Sequence, residues 1–298
     1  MENETTGMPE VPGPKKKSKM KTTTWMMISA IVILSGYYMA MGYKKHQQQQ
    51  SQSSDSTIIA HRDSLKQSGS KITSADSLPD VTYLMGKFNP AKEISFAEIA
   101  IPYGNREGLY VREETYAAYI NMYNAALKEG VKLSVISATR SFEAQKGIWE
   151  AKWTGKRMVD GKNLATAVSD PVERARIILK YSSMPGTSRH HWGTDVDLNS
   201  MDPKYFETAA GKKIYDWLTS HASEYGFGQP YTAKGEQRPT GYEEEKWHWS
   251  YLPIARRCTE AWKEKVAYAD IKGFAGAETA EKLKVIDDYV LGINPACK

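Results

Sequence analysis

Cysteine is nearly missing from this 298-residue chain. Its two copies exclude a disulfide-rich scaffold and a zinc cluster built from thiolates. Histidine is also scarce, with six copies, so imidazole chemistry has few candidates. Neither sign of charge dominates: 40 Lys and Arg stand against 35 Asp and Glu. The net +5 is concentrated early, where Lys15, Lys16, Lys17, Lys19 and Lys21 crowd together, and residues 81–298 carry 30 basic against 28 acidic side chains. That balance leaves no electrostatic footprint for nucleic acid. Hydrophobic (41%) and charged (25%) fractions are ordinary, which excludes a disordered, collagenous or multi-span membrane protein.

One long apolar run is present. Residues 25–43 contain no charge and include Met26, Met27, Ile28, Ile31, Val32, Ile33, Leu34 and Met39. Nineteen residues are just enough to span a bilayer, which needs ~20. The lysine cluster precedes the run and only Lys44 and Lys45 lie just beyond it. The positive-inside bias therefore keeps residues 1–24 as a cytoplasmic basic tail and exports the chain after Tyr43. An uncleaved anchor is favoured over a signal peptide, because Ala40-Met41-Gly42 is a poor cleavage site. Residues 44–80, with Gln47–Gln50 and several serines, are too poor in large apolar side chains to fold, and read as a flexible tether.

Residues 81–298 suit one domain. Residues 113–129 read as a helix with Tyr116, Ile120, Tyr123 and Leu127 on one stripe, ended by Gly130. Residues 132–137 alternate like a strand. Ser141 is placed to cap a helix through Trp153, and Asp170-Pro171-Val172-Glu173 is a helix start. Residues 194–198 read as a strand, 205–225 as helical, 226–230 as a loop, and two helices over 253–269 and 278–291 close the chain. Helices and strands without regular alternation predict an α+β fold.

Four histidines fall in this domain. His190 and His191 lie in Ser188-Arg189-His190-His191-Trp192-Gly193-Thr194-Asp195-Val196-Asp197, and His248 in Glu245-Lys246-Trp247-His248-Trp249. Two imidazoles and one carboxylate suffice to hold a catalytic zinc with an open position for water, and a second carboxylate can take that water's proton. His221, on a helical stretch, reads as structural or exposed. His191 reads as packing or rim, and Trp192, Trp247 and Trp249 read as packing in preference to a binding platform.

This combination resembles the signature of the D-alanyl-D-alanine metallocarboxypeptidases, relatives of the vancomycin-resistance peptidases and of the Hedgehog signalling domain. Their Ser-x-His-x-x-Gly-x-Ala-x-Asp pattern matches Ser188, His190, Gly193 and Asp197, and their Glu-x-Trp-His pattern matches Glu245, Trp247 and His248. Their Ser-Gly-Tyr-Arg-Ser-x-x-x-Gln is similar to Ser137 through Gln145, with Ala138 and Thr139 departing. The resemblance spans about residues 81–255. It implies a Hedgehog/DD-peptidase-like α+β domain with an antiparallel sheet and flanking helices. It also implies Zn2+ bound by His190, Asp197 and His248, with Glu245 as general base, Arg140 on the substrate carboxylate or oxyanion, and Gln145 and Ser188 as substrate contacts. The implied substrates are peptidoglycan stem peptides, met outside the cytoplasmic membrane by a single-pass protein. A D,D-dipeptidase, an endopeptidase and a non-catalytic metal-stabilised module are the alternatives.

Two further expectations concern single residues. Export places Cys258 and Cys297 in an oxidising compartment, where they are expected to pair and pin the tail. Asp195 stands where the family pattern has Ala. In a regular strand it shares a face with Asp197, so the favoured role is to accept the second N–H of a ligand histidine.

Overall fold

The computed structural model describes residues 78–298. The basic tail 1–24, the anchor expected over 25–43 and the tether as far as residue 77 lie outside the described residues. Among the described residues, no helix is long and apolar enough to cross a membrane. The folded domain begins slightly before residue 81: the Leu78 and Pro79 carbonyls accept from Lys265 Nζ, and Asp80 caps a one-turn helix, Val81–Leu84.

The centre is a four-stranded antiparallel sheet built from β3 (Val135–Ser137), β4 (Asp195–Leu198), β5 (Phe227–Gly228) and β6 (His248–Tyr251), in the order β3-β4-β6-β5. A separate antiparallel pair joins β1 (Phe96–Glu98) to β2 (Tyr110–Arg112). Five longer helices surround them: α1 (Glu113–Lys128), α2 (Phe142–Trp153), α3 (Pro171–Ile178), α4 (Ala209–His221) and α5 (Leu252–Lys265). The α+β expectation holds, with the antiparallel sheet and flanking helices.

Period-two alternation divides the sheet between two environments. Val196, Leu198 and Trp249 join Tyr116, Met122 and Trp217, among others, in one apolar cluster. The intervening residues Asp195, Asp197, His248 and Ser250 are also buried, and Arg189 links this polar layer to Thr259 on α5. Beyond it lies a second apolar cluster with Trp149, Trp192 and Trp262.

Ser141 and Asp170 cap α2 and α3 as the sequence predicts, accepting from Ala144 N and Val172 N. Three expectations change. On α1 the buried side chains include Tyr119, Met122 and Ala126, whereas Leu127 is exposed, so the apolar stripe is rotated from the predicted one. The predicted loop 226–230 contains β5, because Phe227 and Gly228 pair with Tyr251 and Ser250. The predicted helix 278–291 breaks into a 3-10 turn, Ala277–Thr279, and a π-helical segment, Val285–Val290, separated by Lys284 at φ 48°.

The cysteine pairing is also corrected: Cys258 and Cys297 are both free and buried. Burial pushes their pKa values up to about 12 and about 11, suppressing the thiolate that disulfide chemistry needs. Other bonds hold the tail, from Arg256 Nη2 to Ala296 O (2.7 Å) and from Asn294 Nδ2 to Gln229 O (3.1 Å). Alkylation of the denatured protein without reductant is therefore expected to add two labels per chain by intact mass; no labels would restore the bridge.

Candidate metal centre

Gly193 shows why the sequence between the first histidine and the aspartate is restrictive. Its φ is +74°, and a Cβ there would lie 2.4 Å from the Phe96 ring. The preceding 3-10 turn, Arg189–Trp192, is capped by Ser188, whose Oγ accepts from His190 N (3.3 Å). Ser188, expected as a substrate contact, is a buried cap and is not among the residues that line the cavity.

The turn and the sheet bring His190, Asp197 and His248 together, with one candidate ligand atom from each lying within 4.8 Å of the others. Asp197 and His248 are cross-strand partners. His190 Nδ1 lies 2.9 Å from Ala138 O and must donate to it, which leaves Nε2 as a bare acceptor. That Nε2 is 3.3 Å from Asp197 Oδ1, another acceptor, and neither atom has a hydrogen-bond partner. His248 Nδ1 is also 3.3 Å from Asp197 Oδ1. Two buried acceptors turned on each other are costly unless a cation joins them. The spacing fits one, because a tetrahedral ion with bonds of ~2.0–2.1 Å has ligand–ligand edges of about 3.3–3.4 Å.

The far side of His248 is fixed by Asp195, whose Oδ1 lies 2.9 Å from Nε2. Asp195 also accepts from Arg189 Nε (3.1 Å) and from the Thr194 hydroxyl. Arg189 completes its bonds on Thr259 and Ser250 and stacks over Trp192. Asp195 therefore accepts from a candidate ligand histidine, as favoured from sequence, and also neutralises a buried arginine that sequence reading did not place.

Electrostatics sort the protons. Burial, then the nearby Arg140, lower the His190 pKa and keep the ring neutral. Burial opposes a charged His248, but closeness to Asp195, Asp197 and Glu245 outweighs it and raises its pKa well above the ordinary value. Burial likewise opposes ionised Asp197, yet the two histidines hold its pKa well below normal. Burial raises the pKa of Glu245, whose Oε2 is 3.3 Å from His248 Nδ1. A metal ion would displace the His248 Nδ1 proton.

A cavity of about 280 Å³ opens beside these groups. Arg140, Gln145 and Glu245 line it with the three candidate ligands. Arg140 makes no side-chain ion pair among the described residues, and its Nε is buried without a partner. Gln145 donates from Nε2 to Ser183 O (2.7 Å), leaving Oε1 unpartnered. His191 lies off the cavity as a brace, with Nδ1 2.7 Å from Arg140 O and Nε2 accepting from Gly186 N (3.1 Å). Burial pushes its pKa down to about 3. His221 sits apart, 3.2 Å from Glu224. Sequence reading missed Lys152, which also lines the cavity. Its signal was available, since Gln145, Ile148 and Lys152 recur on one face of α2.

Residues 108–254 match the family model described as VanY, D-alanyl-D-alanine carboxypeptidase. That stretch is a VanY-type family-model domain. It is 31% identical over 151 residues to the putative carboxypeptidase YodJ of Bacillus subtilis, covering 48% of this chain and 46% of that protein. It is 28% identical over 150 residues to a D-alanyl-D-alanine carboxypeptidase of Enterococcus faecalis, covering 50% of each. The chain thus spans about half the length of these curated relatives. Among solved structures, VanYB in complex with D-alanine-D-alanine aligns at 22% identity and TM-score 0.41, over 57% of this chain and 84% of that one. The LdcB LD-carboxypeptidase aligns at 21% and TM-score 0.44, over 72% and 94%.

Two outcomes are expected. A His190→Ala/His248→Ala double variant loses divalent metal in elemental analysis of chelator-free protein, whereas the unaltered chain retains one ion. Asp195→Ala alone strands buried Arg189 and is expected to lower stability by about 3–5 kcal/mol in thermal unfolding. Arg189→Met/Asp195→Ala removes both charges; it is expected to recover most of that loss, yet to bind zinc ~10–100-fold more weakly in titration.

Proposed function

We propose that the chain is a zinc D-alanyl-D-alanine carboxypeptidase that removes terminal D-Ala from peptidoglycan stem peptides. The observation that carries this reading is the pair of facing, unpartnered acceptors, His190 Nε2 and Asp197 Oδ1, with Glu245 against the third ligand. The VanY family match supports the substrate class. Two imidazoles and one carboxylate suit zinc with one position open.

Zinc bound there would lower the pKa of a water toward ~7 and polarise the scissile carbonyl. Glu245 is the base: its carboxylate receives the proton of the attacking water and passes it to the departing amine. Its raised pKa brings it closer to the range in which a base returns protons at neutral pH. With zinc bound, His190 and His248 would both be neutral ligands, His248 having lost its Nδ1 proton, each oriented by a bond on its other nitrogen, to Ala138 O and Asp195. Arg140, which forms no ion pair among the described residues, offers its fork to the terminal carboxylate. Gln145 Oε1 is placed to accept a substrate N–H.

A non-catalytic metal-stabilised module has no use for a buried carboxylate beside its ligands, which disfavours that reading. An unpaired Arg140 favours substrates with a free C-terminus over internal bonds. The basic tail and apolar run, outside the described residues, would hold this domain on the extracytoplasmic face of the membrane.

Incubation with stem pentapeptide and mass spectrometry is expected to show loss of one terminal alanine. Attack only on free D-Ala-D-Ala would mark a dipeptidase. Glu245→Gln is expected to keep its zinc while kcat falls ~10²–10⁴-fold, because an amide cannot take the proton. An unchanged kcat would reduce Glu245 to a structural role.

A further inference from the structure

Three cations surround the cavity: Arg140, Lys152 on the last turn of α2, and Arg157 just beyond that helix. Among the described residues none of them forms an ion pair. The cavity's two carboxylates face the histidines and not these cations, Asp197 at 3.3 Å from His190 and His248 and Glu245 at 3.3 Å from His248. A single terminal carboxylate is met by the fork of Arg140 and leaves two positive charges unanswered.

Lys152 is the more informative of the two. A lysine in the last turn of a helix is ordinarily satisfied by solvent and by the helix dipole. This one is half-buried, and its only side-chain hydrogen-bond partner among the described residues is the neutral Ser182 hydroxyl. Burial, then the nearby Arg157 and Arg140, push its pKa down to about 8. A cation held this way is under-compensated, and an anion entering the cavity relieves it. An amide in the same place would not, and a basic side chain would be repelled.

We propose that the cavity is built for an acidic stem peptide, one with a second free carboxylate upstream of the scissile bond. Lys152 and Arg157 hold that group while Arg140 holds the terminal one. The proposal rests on the carboxypeptidase reading for its substrate class, and names the stem chemistry within it: free acid, as against amidated or lysine-type.

The test uses two pentapeptides, both ending in D-Ala-D-Ala with a free C-terminus. One has all upstream carboxylates free; in the other they are all primary amides. Affinities are read by calorimetry on zinc-loaded, full-length Glu245→Gln protein, so that binding is measured without turnover. Cleavage is read separately on the unaltered enzyme. The acid peptide is expected to bind about 10–100-fold more tightly, the range of a charge-assisted hydrogen bond. Adding Lys152→Met should bring the ratio of affinities to within about threefold, and Lys152→Arg should preserve it. If Lys152→Met fails to fold, Arg157→Met at its exposed position should lower the same ratio.

A ratio near one in the parent protein, or one that Lys152→Met and Arg157→Met leave unmoved, overturns the proposal. With both peptides still cleaved, that result leaves the carboxypeptidase reading intact. Conversely, a Lys152-dependent ratio without cleavage of either peptide removes the carboxypeptidase reading and supports the anion site. Failure to bind either peptide overturns the proposal as well.

Discussion

Asp197 and His248 face one another across β4 and β6, and the rest of the site depends on that register. Directly opposed residues in an antiparallel pair hold their Cβ atoms about 4.5–5.5 Å apart, close enough for two short donors to meet at one ion. The register is enforced from the other face. Val196, Leu198 and Trp249 are buried in an apolar cluster, and a slip of one residue would drive Asp195 and Asp197 into it. The apolar packing thus supplies the precision of the polar layer. His190 then needs only the short turn ended by Gly193 to arrive from outside the sheet.

Within that layer the buried groups are three carboxylates (Asp195, Asp197 and Glu245) against one guanidinium, Arg189, and the charged ring of His248. The set carries one net negative charge, and charge imbalance in a dry interior is expensive. A divalent ion that displaces the His248 proton makes the set neutral. Burial, and then the nearby Asp197, raise the pKa of Glu245 against the opposing pull of His248. A metal bound there would therefore complete the core electrostatically as well as supply chemistry.

Much of this was legible because local rules governed it. Caps at Ser141 and Asp170 and the strand containing Asp195 and Asp197 are consequences of short-range pattern, whereas the histidine set was legible only through its resemblance to a family signature. The features that escaped depended on distant contacts. β5 is two residues long and exists only because β6 offers it a partner. The closing helix failed at Lys284, whose left-handed conformation no propensity signals. Pairing of the cysteines was inferred from compartment, whereas their buried surroundings decide their chemistry. His191 read as packing or rim in sequence and is packing in the fold, where its bonds to Arg140 O and Gly186 N make it a brace that sequence could not specify.

Asp195 remains the residue at which this site departs furthest from its family pattern, and its energetics are instructive. Replacing a buried ion pair by apolar side chains is often neutral or stabilising, so the Arg189–Asp195 pair is poorly explained as a source of stability. Its consequence at His248 is more specific. With Nε2 tied to Asp195, only Nδ1 can face the metal position, whereas His190 is tied through Nδ1 and presents Nε2. The two rings are thereby locked in opposite senses by different acceptors, a carboxylate and a carbonyl. A carboxylate makes its imidazole the more basic ligand. Arg189 tempers that effect by drawing charge from the same oxygen, Oδ1, that His248 uses. The pair therefore sets the orientation of His248 and the strength with which it would bind a metal.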